Sequence, residues 1–525
     1  VTGYDLARLL CGSHGTLGVL TAWVWWVIVV AGLVLTGVQA RHALEQWQFP
    51  KRHDGRALLW VVIAAAVGIW LAGTVRAPGR MGGPTGDAYD VLEYHLQLPR
   101  EYLAAGHVHQ TEHNVYGHYP LGVEMLFLLG MVLRNGAYEG MYLAKTLHGV
   151  FGVLMVAGAY FELRREDEAR ARFGAGLLAT TPIFLYLSWL AMVELAAICY
   201  LAVALLWLRH WFAKADWRAG LCIGLMLGAA CATKYLSVGF VLGPVLLVMA
   251  ISAVRRPRRL AAVGLALAAA LVLFSPWLIR NTIHTGNPVF PLMTRTFGRA
   301  HWTPECEQRW VAGHGPAHQP PVPEPDEWNP PERIGRVELF VNNFILSQVF
   351  GPITLLLALG AVAAMVADRE PPGAWRSSLL GVAAVQLGVW TAVTHGMPSR
   401  FISPVMVPLS ILAAGALARL SRLPSNPFRK NVAPPADGPW GRRPALILFG
   451  AGVVINLLIA RGVFLSPSAS RVDVPFPGEA IQTEMSPYRH VAELPEGSRL
   501  LLVGSATPFY FPPDTLYATA FDDHP

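Results

Sequence analysis

Charged residues are scarce in this sequence. They make up 14% of the 525 residues, while 54% are hydrophobic and the mean hydropathy is +0.41. A soluble protein of ordinary composition carries about 25% charged residues. The shortage excludes an ordinary soluble enzyme, a disordered chain and a fibrous protein.

Cysteine is also scarce. The five cysteines are scattered and form no CxxC pair; they are Cys11, Cys199, Cys222, Cys231 and Cys306. This pattern excludes a disulfide scaffold and a zinc ribbon. The chain begins with Val1 and stops just after a strand-like run. We therefore expect either a fragment that lacks part of its C-terminal region or a start at a non-standard codon.

Long apolar runs dominate the rest of the sequence. A helix that crosses a membrane needs roughly 20 apolar residues, and lipid offers the backbone no other partner. Twelve runs are predicted as spans: Leu17–Val38, Ala57–Val75, Tyr138–Phe161, Phe173–Trp189, Leu190–Leu208, Gly220–Ala232, Leu236–Val254, Leu260–Leu278, Asn343–Val366, Ser377–Val393, Phe401–Ala418 and Pro444–Phe464. The run Tyr119–Arg134 has only 16 residues and contains Glu124, which predicts an interfacial or re-entrant helix. The predicted fold class is an all-α polytopic membrane protein with about 12 transmembrane helices.

Positive charge gathers on one side of this arrangement. Six loops on that side hold 23 Lys and Arg residues: 39–56, 162–172, 209–219, 255–259, 367–376 and 419–443. Such loops face the cytoplasm. Residues 76–137, 279–342 and 465–525 are then predicted outside it, and the protein in the cytoplasmic (inner) membrane.

The same pattern divides the chain into three parts. Residues 1–56 form an extra N-terminal helix and a cytoplasmic loop, 57–464 the main transmembrane domain, and 465–525 an extracytoplasmic domain. The last of these ends in a strand–turn–strand pattern, which predicts the opening of a small α/β domain.

The first long loop contains a candidate surface helix. From Asp90 to Gly106 the apolar residues recur at helical spacing, which predicts an amphipathic helix lying on the membrane. Four polar residues would then lie at the boundary between water and lipid: Asp87, Asp90, Glu93 and His95. Asp90 and Glu93 are neighbours on one helical face. They can bind a divalent metal, or one can act as a general base whose pKa the other raises. A solvated, acidic helix start is the alternative.

Other charged residues fall at the same predicted membrane face. Glu194 lies in the apolar stretch SWLAMVELAAICY, where a carboxylate is a functional candidate or an interfacial residue. Lys234, Arg280 and Arg400 suit the phosphate of a lipid-linked substrate, although each alone is also an ordinary interface anchor. Four histidines of the first loop have a spacing that fits no zinc pattern: His107, His109, His113 and His118.

Five strings together resemble a known family. They are YDVLEYHLQLPREYLAAGHV, NVYGHYPLGVEMLF, GAACATKYLSVG, SPWLIRNTIHTGNPVFP and RFISPVMVPLSILAAG. The chain resembles the GT-C glycosyltransferases that use polyprenyl-phosphate sugars, in the branch of the protein O-mannosyltransferases and lipid-A aminoarabinose transferases. The likeness covers roughly residues 57–420.

The resemblance implies a many-helix fold whose large first outer loop carries the catalytic acid. Asp90 stands at that position and Glu194 at the position of a second acid. It implies a hexosyl or pentosyl transferase that inverts the sugar carbon, with Asp90 as base and Glu194 as auxiliary acid. The implied partners are a polyprenyl-phosphate-linked sugar donor, a lipid, polysaccharide or protein acceptor, and membrane lipids, without nucleic acid.

The chain departs from the family pattern at two places. Val91 follows Asp90 where relatives carry a second acid, so no cofactor is certain and Mg²⁺ or Mn²⁺ is only a candidate. Tyr119, beside His118, stands where some relatives carry a lysine. The expected substrate-binding residues are Asp87, Glu93, Tyr94, His95, His118, Lys234, Tyr235, Arg280, Asn281 and Arg400. Among these, Arg400 and Lys234 are expected to hold the phosphate.

Rival classes remain open. A transporter or flippase of lipid-linked sugars would carry ionisable residues at the membrane midplane and broken helices in paired halves. An O-antigen ligase, an acyltransferase or an inactive scaffold of the same fold are weaker alternatives. The predicted location of the acids at one membrane face favours an enzyme.

Overall fold

The computed structural model describes a helical protein. It covers residues 56–75, 77–78, 88–214, 216–254, 256, 258–314, 335–367, 373–394, 399–422, 443–464 and 490–523, except 492 and 496. Within these ranges there is no strand, and a single parallel bridge joins Leu501 and Leu516. The predicted span Leu17–Val38 and the candidate residue Asp87 lie outside the described residues.

Fifteen α-helices of at least seven residues lie in the described ranges. They are α1 Arg56–Thr74, α2 Gln97–Ala105, α3 Glu124–Leu133, α4 Ala137–Arg164, α5 Glu168–Thr180, α6 Pro182–Ser188, α7 Glu194–Lys214, α8 Trp217–Cys231, α9 Gly243–Ala253, α10 Arg258–Thr285, α11 Pro304–His314, α12 Pro352–Ala367, α13 Ala374–Val389, α14 Met406–Leu420 and α15 Arg443–Phe464. Short 3₁₀ and π turns extend several of them, notably Val91–His95 before α2 and Ser399–Val405 before α14.

Six described helical segments are long and apolar enough to cross a membrane. They are Ala137–Arg164, Glu194–Lys214, Arg259–Thr285, Ala374–Thr394, Ser399–Leu420 and Pro444–Gly462. The chain is therefore a multi-pass membrane protein. The predicted number of 12 transmembrane helices is not confirmed, since the other described apolar helices are shorter.

Two predicted spans have the wrong boundaries. Phe173–Trp189 was expected as one helix, but α5 ends at Thr180 and α6 begins at Pro182. Proline has no N–H to donate and disfavours a helical conformation at the residue before it, and Thr181 accordingly has ψ 118°. The predicted span Leu190–Leu208 begins later, at Glu194, so this acid lies at a helix N-terminus.

Small residues bring α8 and α10 close together. Gly220, Gly224 and Gly228 each face an alanine of α10, and a Cβ atom on Gly224 would lie 2.2 Å from the carbonyl oxygen of Ala266. Small side chains at every fourth position allow helix backbones to approach in this way. The paired positions rise together along both helices, so α8 and α10 run parallel. Lys234, just after the end of α8, and Arg280, in the last two turns of α10, therefore lie at the same end of the pair.

The first loop, residues 75–136 between α1 and α4, contains the predicted helix. A turn at Ala88–Asp90, the π turn and α2 form it, and Gly106 ends it with φ +73°. The helix is confirmed, and two of its polar side chains are buried within the protein. Glu93 and His95 are only 4% and 1% exposed, because neighbouring segments cover them. The run Tyr119–Arg134 contains α3, which has 10 residues and is too short to cross.

Residues 490–523, called here the C-terminal segment, pack onto the first loop. Arg100 of α2 donates hydrogen bonds to the carbonyl oxygens of Pro508 (3.0 Å) and Phe511 (2.6 Å). The backbone N–H of Ala506 donates to the hydroxyl of Tyr89 at 2.9 Å. The predicted α/β domain is not confirmed, since the described part contains the one bridge and a short 3₁₀ turn, Pro508–Tyr510.

Candidate active site

Two acids and two cations from four distant parts of the chain meet in one cluster. The guanidinium of Arg400 contacts the carboxylate of Asp90. Its Nε lies 3.4 Å from Oε1 of Glu194, and Nζ of Lys234 lies 2.9 Å from the same oxygen. We call Asp90, Glu194, Lys234 and Arg400 the acid–cation cluster.

Local structure explains how each member reaches this place. Asp90 ends the helical turn that precedes the π turn, and Glu194 is the first residue of α7. Lys234 lies in the loop that follows α8, and its ammonium lies 4.5 Å from the ring centroid of Phe401. Arg400 lies in the 3₁₀ turn that leads into α14. All four residues therefore lie at or next to the ends of helices, and the packing of these ends brings their side chains together.

A buried histidine fixes the start of α7. His148 of α4 is fully buried; its Nδ1 lies 2.9 Å from the carbonyl oxygen of Leu190, and the N–H of Leu195 donates to its Nε2 at 3.0 Å. A neutral ring with its proton on Nδ1 satisfies both bonds. His148 thereby binds one of the free N–H groups at the helix start, next to Glu194.

Asp90 is the accessible member of the cluster. Its side chain is 28% exposed, whereas those of Arg400, Glu194 and Lys234 are 4%, 7% and 10% exposed. Burial raises the pKa of the Asp90 carboxyl, and the positive charges of Lys234 and His95 oppose that rise. A carboxylate in such a place is reachable from outside and is a stronger base than one in water.

A buried contact between a histidine and a glutamate lies beside the cluster. Nδ1 of His95 lies 2.7 Å from Oε1 of Glu124, and both side chains are almost completely buried. Glu93 lies in the same π turn as His95; burial and the negative charges of Asp90 and Asp522 raise its pKa well above the usual range. The raised pKa favours the protonated form of Glu93, whereas the carboxylate of Asp90 contacts Arg400.

Tyrosines separate the cluster from Arg280 and Asn281. Tyr94 stacks on Tyr116 with ring centroids 4.5 Å apart, and Tyr119 meets Tyr235 edge-on at 5.5 Å. Tyr235 accepts a hydrogen bond from Nδ2 of Asn281 at 2.9 Å. This aromatic layer covers one side of the site.

Arg280 and Asn281 hold the turn around residue 118. Nη2 of Arg280 donates to the carbonyl oxygen of Tyr119 at 3.0 Å, and Nδ2 of Asn281 donates to that of His118 at 2.7 Å. Arg280 also lies 4.8 Å from the ring of Trp277. Burial, with help from the charges of Arg280 and His301, lowers the pKa of His118 well below the usual range. His118 is therefore neutral and brings no charge to a phosphate.

Asp522 of the C-terminal segment ties three segments together. Its carboxylate accepts hydrogen bonds from the N–H of Val115 (2.7 Å), from Nε1 of Trp302 (2.7 Å) and from the hydroxyl of Thr519 (2.6 Å). The first loop, the segment before α11 and the C-terminal segment thus share one carboxylate.

The acids of the cluster are paired with cations. In the part of the chain that the structure describes, no group of three or more His, Cys, Asp or Glu side chains is placed to hold a metal ion. The two acids of the cluster contact Arg400 and Lys234 instead.

The structure brings together four of the predicted site residues and separates others. Glu93, Tyr94 and His95 surround the cluster, whereas His118, Tyr235, Arg280 and Asn281 form a neighbouring network. Three residues were missed from the sequence as site components: Glu124, His148 and Asp522. A charged or titratable residue inside an apolar run was the available signal for the first two. The roles of all these residues remain predictions.

Comparisons with known proteins agree with this architecture. Residues 118–279 match the family model of dolichyl-phosphate-mannose-protein mannosyltransferase, and no curated protein matches the chain. ArnT from Cupriavidus metallidurans bound to undecaprenyl phosphate has a similar fold, with a TM-score of 0.58, 18% identity, and coverage of 89% of this chain and 87% of that one. The apo state of the same protein has a TM-score of 0.55 and 17% identity, with coverage of 88% of this chain and 86% of that one.

A weaker likeness extends to AglB from Archaeoglobus fulgidus, in complex with an inhibitory peptide and a dolichol-phosphate. Here the TM-score is 0.49 and the identity 13%, over 85% of this chain and 62% of that one. The family match over residues 118–279 and the ArnT-like fold agree with the resemblance described from the sequence.

Proposed function

We propose that this protein is a membrane glycosyltransferase that moves a sugar from a polyprenyl-phosphate carrier to an acceptor. The reaction takes place at the outer face of the cytoplasmic membrane. The observation that carries the proposal is the acid–cation cluster, in which the accessible carboxylate of Asp90 contacts Arg400, and Arg400 and Lys234 both contact Glu194. The family match and the fold shared with an undecaprenyl phosphate complex support the nature of the carrier.

Asp90 acts as the general base. It accepts the proton of the acceptor hydroxyl or amine while that atom bonds to the anomeric carbon of the sugar. The bond between this carbon and the phosphate oxygen breaks, and its electron pair leaves with the polyprenyl phosphate. A single displacement of this kind inverts the sugar carbon. General-base catalysis contributes typically about 10²–10⁴-fold.

Arg400 and Lys234 stabilise the departing phosphate. A guanidinium binds phosphate oxygens in a planar, two-pronged geometry, and an ammonium adds a point charge. Electrostatic stabilisation of developing charge is usually the largest single contribution to catalysis. Glu194 holds both cations in place and serves as an auxiliary acid that orients the acceptor.

The ion pair between Arg400 and Asp90 couples donor binding to base strength. A phosphate that engages Arg400 competes with Asp90 for the same guanidinium. When the phosphate wins, Asp90 loses its closest positive charge and its pKa rises. The base therefore becomes stronger only when the donor is in place.

The remaining predicted residues line the donor and acceptor in this proposal. Glu93, Tyr94 and His95 are near the base, Tyr235 belongs to the aromatic layer, and Asn281 donates a hydrogen bond to Tyr235. A divalent ion, Mg²⁺ or Mn²⁺, would have to displace the cation contacts of the cluster, so no step is assigned to one. EDTA treatment tests this, and we expect no loss of turnover.

A donor panel tests the proposal. The purified chain is incubated with polyprenyl-phosphate sugars of different hexoses and pentoses, together with lipid, polysaccharide and peptide acceptors. Release of polyprenyl phosphate with a product of inverted configuration is the expected result. Movement of the intact donor across proteoliposomes without release would contradict it and favour the flippase alternative.

A further inference from the structure

A cavity lined by charged residues lies away from the acid–cation cluster. It has a volume of about 370 Å³ and lies between α5, α12, α13 and α14. Four arginines line it, and the lining residues in the described part of the chain include no acid; the arginines are Arg170, Arg376, Arg419 and Arg422. The rest of the lining is mainly apolar, with Leu379, Ile411 and Leu412 among it.

This cavity lies at the opposite end of a membrane span from the candidate active site. The segment Ser399–Leu420 carries Arg400 at its beginning and Arg419 at its end. Its 15-residue α-helix and seven-residue 3₁₀ turn have a combined length of more than about 30 Å. That is the thickness of the hydrocarbon core. The two sites therefore face opposite membrane surfaces.

Two of the four arginines contact neighbouring acids of the described residues. Arg170 contacts Glu166, and Nη2 of Arg422 lies 2.7 Å from Oδ2 of Asp167. Arg376 and Arg419 lie at the exposed rim. Guanidinium groups at the rim and apolar side chains beneath them match a molecule with an anionic head and a hydrocarbon tail.

We propose that this cavity binds the phosphate of an anionic phospholipid headgroup. Basic pockets between transmembrane helices bind such headgroups, because the arginines lie at headgroup depth. Arginine pairs with phosphate oxygens through two parallel N–H bonds. A soluble phosphate has the same head chemistry but no chain to use the apolar floor, so the lipid is the expected ligand. The proposal is independent of the reaction at Asp90.

Native mass spectrometry of the purified full chain in detergent tests this site. The probes are phosphatidylglycerol, phosphatidylcholine and inorganic phosphate, each at the same concentration. Phosphatidylglycerol is expected to stay bound, whereas phosphatidylcholine and inorganic phosphate are not. In the double variant Arg376→Gln/Arg419→Gln we expect its affinity to fall about tenfold or more, since each arginine near a membrane surface contributes several-fold.

Arg218→Gln is the matched control. Arg218 is exposed at the start of α8, beyond the end of α7 opposite Glu194, and it is not part of the cavity. The affinity of the Arg218→Gln variant for phosphatidylglycerol is expected to stay within about twofold of that of the parent protein, because one distant charge contributes little at physiological salt. Equal binding by the double variant and the parent would overturn the proposal, as would equal retention of phosphatidylcholine or of inorganic phosphate. A thermal melt without added lipid shows whether the double variant is folded, and Arg376→Gln alone replaces it if it is not.

Discussion

Arg400 and Asp90 form an ion pair across 310 residues of sequence. The pair joins the turn before α14 to the beginning of the first loop. Each group neutralises the other, so the accessible acid and the buried cation depend on one another. A ligand that takes one of them changes the charge of the other.

The pH dependence of turnover tests this relationship. Burial raises the pKa of Asp90, so turnover should fall as the pH drops through a value above that of a free carboxyl. In Arg400→Gln the nearest positive charge is gone, and the acid limb of kcat/KM should move upward by about one pH unit or more. The profile of Arg218→Gln serves as the reference. An acid limb that stays in place in Arg400→Gln would separate Asp90 from the measured ionisation.

The contact between Lys234 and Glu194 predicts a non-additive effect on stability. Lys234→Met leaves a buried carboxylate with less compensation, and we expect the free energy of unfolding to fall by about 3 kcal/mol. The double variant Lys234→Met/Glu194→Gln removes both charges and should recover most of that loss. Thermal melts of the parent, both single variants and the double variant measure the coupling. Additive losses would show that the two side chains do not interact.

The close approach of α8 and α10 predicts a strong effect of side-chain size. Gly224→Leu forces a side chain against the backbone of Ala266, which should cost about 3 kcal/mol or more and lower the yield of folded protein. Gly264→Leu is the matched control on α10, because a Cβ atom there meets nothing within 4 Å. The control should be neutral or slightly more stable. Similar melting temperatures for both variants would contradict the packing described here.

The contact of His113 with Glu101 predicts that docking of the C-terminal segment depends on pH. Nε2 of His113 lies 3.3 Å from Glu101, which also accepts a hydrogen bond from the hydroxyl of Tyr517 at 2.6 Å. Burial lowers the pKa of His113, but the hydrogen bond and charge of Glu101 outweigh it and raise the pKa. Burial raises the pKa of Glu101, and its bonds to His113, Tyr517 and Gln97 bring it below the usual range.

The directions of the two pKa shifts define the pH range in which this contact stabilises the folded protein. Stabilisation by His113 is complete below about pH 6.5 and is lost as the pH rises through its folded pKa. Stabilisation by Glu101 is present above about pH 4.3 and is lost as the pH falls through its folded pKa. Hydrogen exchange of residues 506–523, corrected for the intrinsic rate, should therefore be slower at pH 6 than at pH 8. His113→Gln should remove this difference, and an unchanged difference would assign it to another group.

Much of the helical framework could be predicted from the sequence, because apolar runs of sufficient length have few alternatives in lipid. The distribution of charges among loops predicted Asp90, Glu194, Lys234 and Arg400 on one membrane face, and the structure brings the four into contact. Pro182 also indicates a helix boundary, which the predicted span Phe173–Trp189 does not include. The helix at Asp90–Gly106 was predicted, yet its burial was not, since burial depends on which distant segments cover it.

Other parts of the site depend on pairings that no local pattern encodes. Asp522 binds Val115 and Trp302, and the C-terminal segment reads as a separate domain when its partners are unknown. His148 supports α7 only because the chain breaks before Glu194. A side chain that joins two or three distant segments can be recognised as part of the site only when the positions of those segments are known.

Turnover of Asp90→Asn is the most direct test of the proposed mechanism. Asp216→Asn is the matched control, because Asp216 caps α8 away from the cluster and asparagine is an equally good cap. With a donor that the parent protein uses, we expect kcat to fall by about 10²–10⁴-fold in Asp90→Asn and to stay unchanged in Asp216→Asn. Equal turnover by Asp90→Asn and the parent protein would contradict the role of Asp90 as the base.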